Sequence, residues 1–171
     1  VAVLDYGCKD SIIRRLKTAG VRVTVWPHDT DAATILAARP AGVLLSNGPG
    51  DPSALPAQVE VVKELLGRVP ILGICLGHQL LALAAGLETF KLPFGHRGAN
   101  HPVLELESSR VLVTSQNHGF AVRGDGPEVT HVSLYDGTVE GLALGKEHAR
   151  SLQFHPEAGP GPHDAWPAIE G

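Results

Sequence analysis

The chain predicts an α/β fold: an open, mostly parallel twisted sheet with helices on both faces, extended late in the sequence by partly antiparallel strands. Three observations carry this. Up to Gly86, short apolar runs alternate with amphipathic ones in the order strand, helix, strand, helix, which calls for right-handed crossovers and parallel pairing. After Gly86 the texture changes to short runs of strand character with few helical periods between them. The 171 residues are 43% hydrophobic and 19% charged, enough to bury a core and suited to one domain rather than two.

Each element has its own signal. Val1 to Leu4 reads as a buried strand, Asp5-Tyr6-Gly7 as a turn, and Asp10 to Ala19 as a helix closed by Gly20, with Ile12, Ile13 and Leu16 on one face. Val21, Val23 and Val25 alternate with Arg22 and Thr24, the period of a strand with one wet face near the sheet margin, ended by Pro27. Asp31 to Arg39 is a short helix, Gly42 to Leu45 an apolar strand, and Asn47 to Pro56 a loop dense in Gly and Pro. From Ala57 to Leu66 the residues Val59, Val62, Leu65 and Leu66 line one side of a helix that Gly67 closes. Val69 to Ile74 is the next strand, and Leu80 to Ala85 a helical run. The later strands are Thr89 to Leu92, Val103 to Leu106, Val111 to Thr114, Val129 to Leu134, Val139 to Leu144 and Ser151 to Phe154. The tail from Gly159 reads as irregular.

Ligands of such sheets sit at the carboxyl ends of the strands. Two of those ends are chemically conspicuous: Ser46 leads into Asn47-Gly48-Pro49-Gly50, and Ile74 leads into Cys75. In Gly73-Ile74-Cys75-Leu76-Gly77-His78-Gln79 the cysteine falls on a tight strand-to-helix turn, where a Cβ at Gly73 or Gly77 would obstruct close packing. The sulfur is expected to be exposed there, and the positive end of a helix favours its thiolate. A lone cysteine is more often a buried structural residue, but a core cysteine has no need of glycines two positions to either side.

A thiol attacking an amide needs a base, a group to hold that base, and donors for the oxyanion. His155-Pro156-Glu157 follows an apolar strand, so His155 is the candidate base and Glu157 its orienting carboxylate. Without the Cys75 elbow, the same tripeptide is better read as an ion pair on a surface loop. Oxyanion donors would be the N–H of Leu76 and one from the Gly48-Pro49-Gly50 loop. That loop lacks the Lys-Ser/Thr ending of a phosphate cradle and runs into Asp51. The cluster Ser115 to Phe120, after a strand, is suited to holding a polar substrate.

Charge and composition narrow the classes. With 14 Lys and Arg against 18 Asp and Glu the net charge is −4, so there is no basic field for nucleic acid or an anionic membrane. No apolar run approaches the roughly 20 residues that span a bilayer. Cys8 and Cys75 are too few for a disulfide scaffold, which with the lack of a signal-peptide pattern predicts a cytoplasmic protein. Nine histidines include no His-Glu-x-x-His and no zinc-finger pairing, so no metal site is expected; His78, His96, His101, His118 and His163 read as structural hydrogen-bonders, and Cys8 as unreactive beside Lys9. The absence of methionine and the immediate strand-like start suggest a piece of a longer protein.

Cys75 in Gly-Ile-Cys-Leu-Gly-His-Gln, His155-Pro-Glu157, and Asn47-Gly-Pro-Gly-Asp-Pro52 together resemble the class I (triad) glutamine amidotransferases. Within that family, Phe94 to Pro102, Thr114 to Phe120, Tyr135 to Gly141 and His155 to Asp164 look like the small subunit of carbamoyl phosphate synthetase, and the likeness covers essentially the whole chain, residues 1–171, as one amidotransferase domain. The resemblance implies a flavodoxin-like sheet, a Cys75–His155–Glu157 triad, and glutamine held at Gly48, Gly50, Leu76, Gln79, Asn117, Gly119 and Phe120. It also implies hydrolysis of L-glutamine, ammonia delivered to a synthetase large subunit, no cofactor in this chain, and ATP and metal ions on the partner. The resemblance further implies an additional amino-terminal domain, to which no part of residues 1–171 is similar, and Gly159 stands where Ser is expected. Rival readings are a component of anthranilate or GMP synthesis, a non-catalytic docking module, and a free-standing γ-glutamyl hydrolase.

Overall fold

The computed structural model describes residues 1–158 and Pro167; the expectations for Gly159, His163 and the tail lie outside the described residues. Among the described residues, nine strands form one sheet in the order β2-β1-β3-β4-β9-β8-β6-β5-β7. Its parallel half consists of β1 (Ala2–Asp5), β2 (Thr24–Pro27), β3 (Val43–Leu45), β4 (Ile71–Ile74) and β9 (Ala149–Leu152). The antiparallel half consists of β5 (Glu88–Glu105), β6 (Arg110–Arg123), β7 (Val129–Ser133) and β8 (Val139–Leu144). Strand β8 joins the halves by pairing antiparallel with β9.

The helices follow from where the apolar stripes fall. In α1 (Asp10–Thr18), Ile12 and Leu16 pack on Val3, Leu44 and Ile74. The alternate residues Ala2, Leu4, Val43 and Leu45 face the other way, onto α2 (Ala32–Ala37), α3 (Pro56–Leu65) and α4 (Leu76–Ala84) through Ile35, Val59, Val62, Leu65, Leu80 and Leu81. Because side chains alternate along a strand, these two sets place helices on both faces, as expected. Asp31 starts α2 by accepting the Thr34 N–H at 2.8 Å. Asp51 caps a short 3₁₀ turn, Pro52–Ala54, inside the Gly/Pro loop.

Three expectations shift. Strand β2 starts at Thr24 rather than Val21, because Val21 and Val23 pack toward Ile12 and Leu16 before edge pairing begins. The runs Thr89–Leu92 and Val103–Leu106 are the ends of one strand, β5, whose middle lost its period-two signal to register shifts between Lys91 and His96 and between Gly98 and His101. The polar cluster Ser115–Phe120 lies within β6 and not after it. Its inward residues Thr114, Gln116 and His118 are buried but polar, so hydrophobic alternation could not mark that strand.

Candidate active site

Cys75 and His155 stand at the ends of neighbouring parallel strands. Ile74 pairs with Leu152, and the Cys75 N–H donates to the Leu152 carbonyl at 2.8 Å, which locks the end of β4 to the end of β9. Three residues later the His155 N–H donates to Ser115 O at 2.9 Å, tying the histidine to β6. A nucleophile and a base 80 positions apart in the chain are thereby one strand spacing apart, about 4.8 Å between backbones.

The turn at Cys75 is the strained elbow that its glycines foretell. Cys75 adopts φ 54° and ψ −103°, a conformation side chains avoid unless the surroundings force it. The forcing is visible: a Cβ on Gly77 would lie 2.1 Å from Leu45 O, and one on Gly73 would lie 2.6 Å from Gly77 O. The Gly77 N–H also donates to Ser46 O at 3.1 Å, pinning the start of α4 against the end of β3. Leu76, first residue of α4, has an N–H that no helical carbonyl can accept. The expected exposure of the sulfur does not hold, since Cys75 is 5% exposed. Strand β6 lies over it, with Asn117 O 3.8 Å from Sγ, so the thiol faces a cavity rather than bulk water.

His155 Nδ1 lies 2.7 Å from Glu157 Oε1, both residues being buried at 3% and 2% exposure. The carboxylate accepts a hydrogen bond from Nδ1–H, which leaves Nε2 as the ring nitrogen to serve the Cys75 sulfur. Burial acts to lower the His155 pKa, but the bonds to Cys75 and Glu157 and their charges outweigh it and hold the pKa up at about 9. The imidazole therefore keeps a proton beside the sulfur at neutral pH. Cys8 is the opposite case: burial, with Asp5 and Glu157 nearby, pushes its thiol up to about 11, and its Sγ lies against Lys9 O.

A cavity of about 330 Å³ opens on this array, lined by Gly48, Pro49, Gly50, Cys75, Gln79, Asn117, Gly119, Phe120 and His155. Leu76 contributes none of the lining, and Glu157 stands behind His155. Asn47 and His118, from the strand-end loop and the polar cluster singled out in the sequence, line it too, as do Gly7, Lys9 and Arg97, which the sequence reading missed. Lys9 Nζ is 3.8 Å from Glu157 Oε1, and Asn47 bridges the Lys9 N–H and the Gly7 carbonyl. The signal for Gly7 and Lys9 was available: the Asp5-Tyr6-Gly7 turn also follows a carboxyl strand end. Gln79 Nε2 donates to Phe120 O at 2.9 Å and Gln153 Oε1 at 3.0 Å, which leaves its amide oxygen as an acceptor.

His78, His96, His101 and His118 are all hydrogen-bonded. One trio of potential metal ligands occurs among the described residues: atoms of His96, His118 and Glu140 lie within 4.8 Å of one another. Both His118 nitrogens are engaged, by Phe120 O at 2.7 Å and Gln116 Oε1 at 2.8 Å, so the trio is organised as a hydrogen-bond network.

A doubly wound sheet with a strained cysteine elbow, a buried His–Glu pair and an adjoining polar cavity is an α/β arrangement whose geometry suits thiol nucleophile chemistry. The chain belongs to the class-I glutamine amidotransferase family, whose pattern matches residues 2–169. It is 54% identical over 169 residues to the carbamoyl phosphate synthase small chain of Listeria innocua, covering 96% of this chain and 47% of that protein. It is likewise 54% identical over 170 residues to the carbamoyl phosphate synthase small chain of Symbiobacterium thermophilum, with the same coverages. The chain thus spans about half the length of the curated relatives it matches. In fold it is similar to a putative GMP synthase subunit from Thermoplasma acidophilum, with TM-score 0.83, 23% identity and coverage of 99% of this chain and 91% of that one. It is also similar to a glutamine amidotransferase from Thermotoga maritima, with TM-score 0.70, 22% identity and coverages of 93% and 77%.

Proposed function

We propose that this chain is the glutamine-hydrolysing part of a carbamoyl phosphate synthase small chain, releasing ammonia for a synthetase large subunit. The observation that carries it is the Cys75–His155–Glu157 array at the mouth of a polar cavity, in a chain about half identical to proteins of that name.

The chemistry follows from the positions. Cys75 Sγ attacks the side-chain carbonyl carbon of glutamine, and the resulting oxyanion is met by the Leu76 N–H and the Gly48–Gly50 backbone. His155 gives its proton to the amide nitrogen, the C–N bond breaks, and ammonia leaves a γ-glutamyl thioester. Water then gives a proton to His155 and attacks the thioester, releasing glutamate and restoring the thiol–imidazole pair. Glu157 keeps the ring in one tautomer and stabilises its charged form. Asn117, Gly119 and Phe120 on one wall and the Gln79 amide oxygen on another present acceptors and donors suited to the substrate's ammonium and carboxylate.

In this reading residues 1–171 are one amidotransferase domain without a cofactor of its own, and ATP and metal ions act on the partner, where ammonia is consumed. No described helix is long and apolar enough to cross a membrane, and a cytoplasmic location fits a biosynthetic pair of this kind.

Cys75→Ala should abolish ammonia release from glutamine, by 10³-fold or more on the order expected for a lost nucleophile, while circular dichroism and melting stay as in the wild type. Undiminished glutaminase activity in that variant removes the covalent mechanism. The chain alone should turn glutamine over slowly, and adding an ATP-dependent large subunit with bicarbonate should accelerate it. Fast turnover indifferent to the partner would instead mark a free-standing hydrolase.

A further inference from the structure

Behind the cavity, six residues close a ring of hydrogen bonds. Glu140 Oε2 accepts from Gln116 Nε2 at 2.8 Å, Gln116 Oε1 meets His118 Nε2 at 2.8 Å, and His118 Nδ1 meets Phe120 O at 2.7 Å. Phe120 O also accepts from Gln79, Gln79 donates to Gln153 Oε1, and the Gln153 N–H returns to Glu140 O at 2.8 Å. Glu140 is fully buried, outside the cavity lining, and no step of the proposed mechanism uses it. Its Oε1 has no hydrogen-bond partner and lies 3.4 Å from His96 Nδ1, whose other nitrogen meets Asp136 at 2.7 Å.

We propose that Glu140 is a positioning residue for substrate recognition: through Gln116 it sets the orientation of His118, and with it the Asn117–Phe120 wall and Gln79. This rests on reading the cavity as the glutamine site. A buried carboxylate beside an amide is costly unless it organises something, and here both ends of the carboxamide are committed. Burial pushes His118 down to about 4, so the ring is neutral and donates once, to Phe120 O. Its Nε2 must then accept, which a half-turn of the Gln116 amide allows. Gln116 Oε1 would then face Glu140, whose carboxyl burial biases toward the protonated form, able to donate. A glutamine side chain in place of Glu140 offers both a donor and an acceptor and should complete the ring, whereas methionine, of similar length, can do neither.

The test compares Glu140→Gln, Glu140→Met and Gln116→Met with the wild type by labelling Cys75 with two reagents, followed by mass spectrometry. The glutamine analogue 6-diazo-5-oxo-L-norleucine requires recognition of the amino-acid end, and iodoacetamide requires only a reactive sulfur. Glu140→Met should slow analogue labelling roughly tenfold with iodoacetamide labelling unchanged, and Glu140→Gln should restore it to within about threefold. If Glu140→Met does not fold, Gln116→Met breaks the same link from the neighbouring strand and should show the same split. Equal labelling by both reagents in folded Met variants, or a loss that Glu140→Gln shares in full, overturns the positioning role. If the wild type labels with iodoacetamide but not with the analogue, it is the glutamine reading of the cavity that fails.

Discussion

At the scale of single residues, the site is governed by how His155 holds its proton. The ring is nearly enclosed, yet its interactions with Cys75 and Glu157 keep its pKa at about 9, well above the usual value of 6.5. Removing the carboxylate charge must lower it. Glu157→Gln should therefore move the alkaline limb of the kcat/KM profile for glutamine down from near pH 9 and reduce turnover on the order of 10²-fold to 10⁴-fold; an unmoved limb would mean that Glu157 does not face the catalytic ring. The same shift has a stability consequence with a definite sign. A histidine raised on folding stabilises fully below its unfolded value of 6.5 and loses that contribution as pH rises through about 9. Denaturation midpoints should fall across that window in the wild type and fall less in Glu157→Gln. Cys75, His155 and Glu157 could be named from sequence because they are reactive types at strand ends. Gly7 and Lys9 carried the signal of a carboxyl strand end, whereas Arg97 could not be named, because its place in the lining depends on β5 and β6 meeting the parallel half, which no local pattern encodes.

At the scale of elements, the strand–turn–helix unit β4–α4 is held by backbone-to-backbone contact. Gly77→Ala sets a Cβ against Leu45 O at 2.1 Å, and neither backbone can move without displacing β3 or α4. The expected cost is about 3 kcal/mol or failure to fold, read by urea denaturation. Gly50→Ala is the control from the same site: nothing lies within 4 Å, so only its φ of +100° is strained, for about 1 kcal/mol. The elements of the parallel half were legible because each carries one apolar stripe, as in Val59, Val62 and Leu65. Strands β5 and β6 were only partly so. Register shifts broke the period of β5, and β6 buries Gln116 and His118, whose polarity is satisfied by partners far away in sequence.

Across the whole molecule, Cys75 and His155 both stand at strand ends of the parallel half, but the whole antiparallel half is inserted in sequence between their strands, β4 and β9. Between β4 and β9 the chain leaves the parallel sheet, builds the antiparallel half, and comes back beside β4. Lengthening the turn at Glu107–Ser109, at the far side of the β5–β6 hairpin, should leave glutaminase activity unchanged, since both flanking strands keep their pairing around it. A return order of this kind also sets when the protein becomes reactive. A growing polypeptide contains its cysteine long before Ala149 has been synthesised, and during that interval the sulfur lacks the imidazole. The cysteine–histidine array is thus assembled only after the segment from Ala149 to Glu157 has been added, and a polypeptide stopped before it lacks the imidazole.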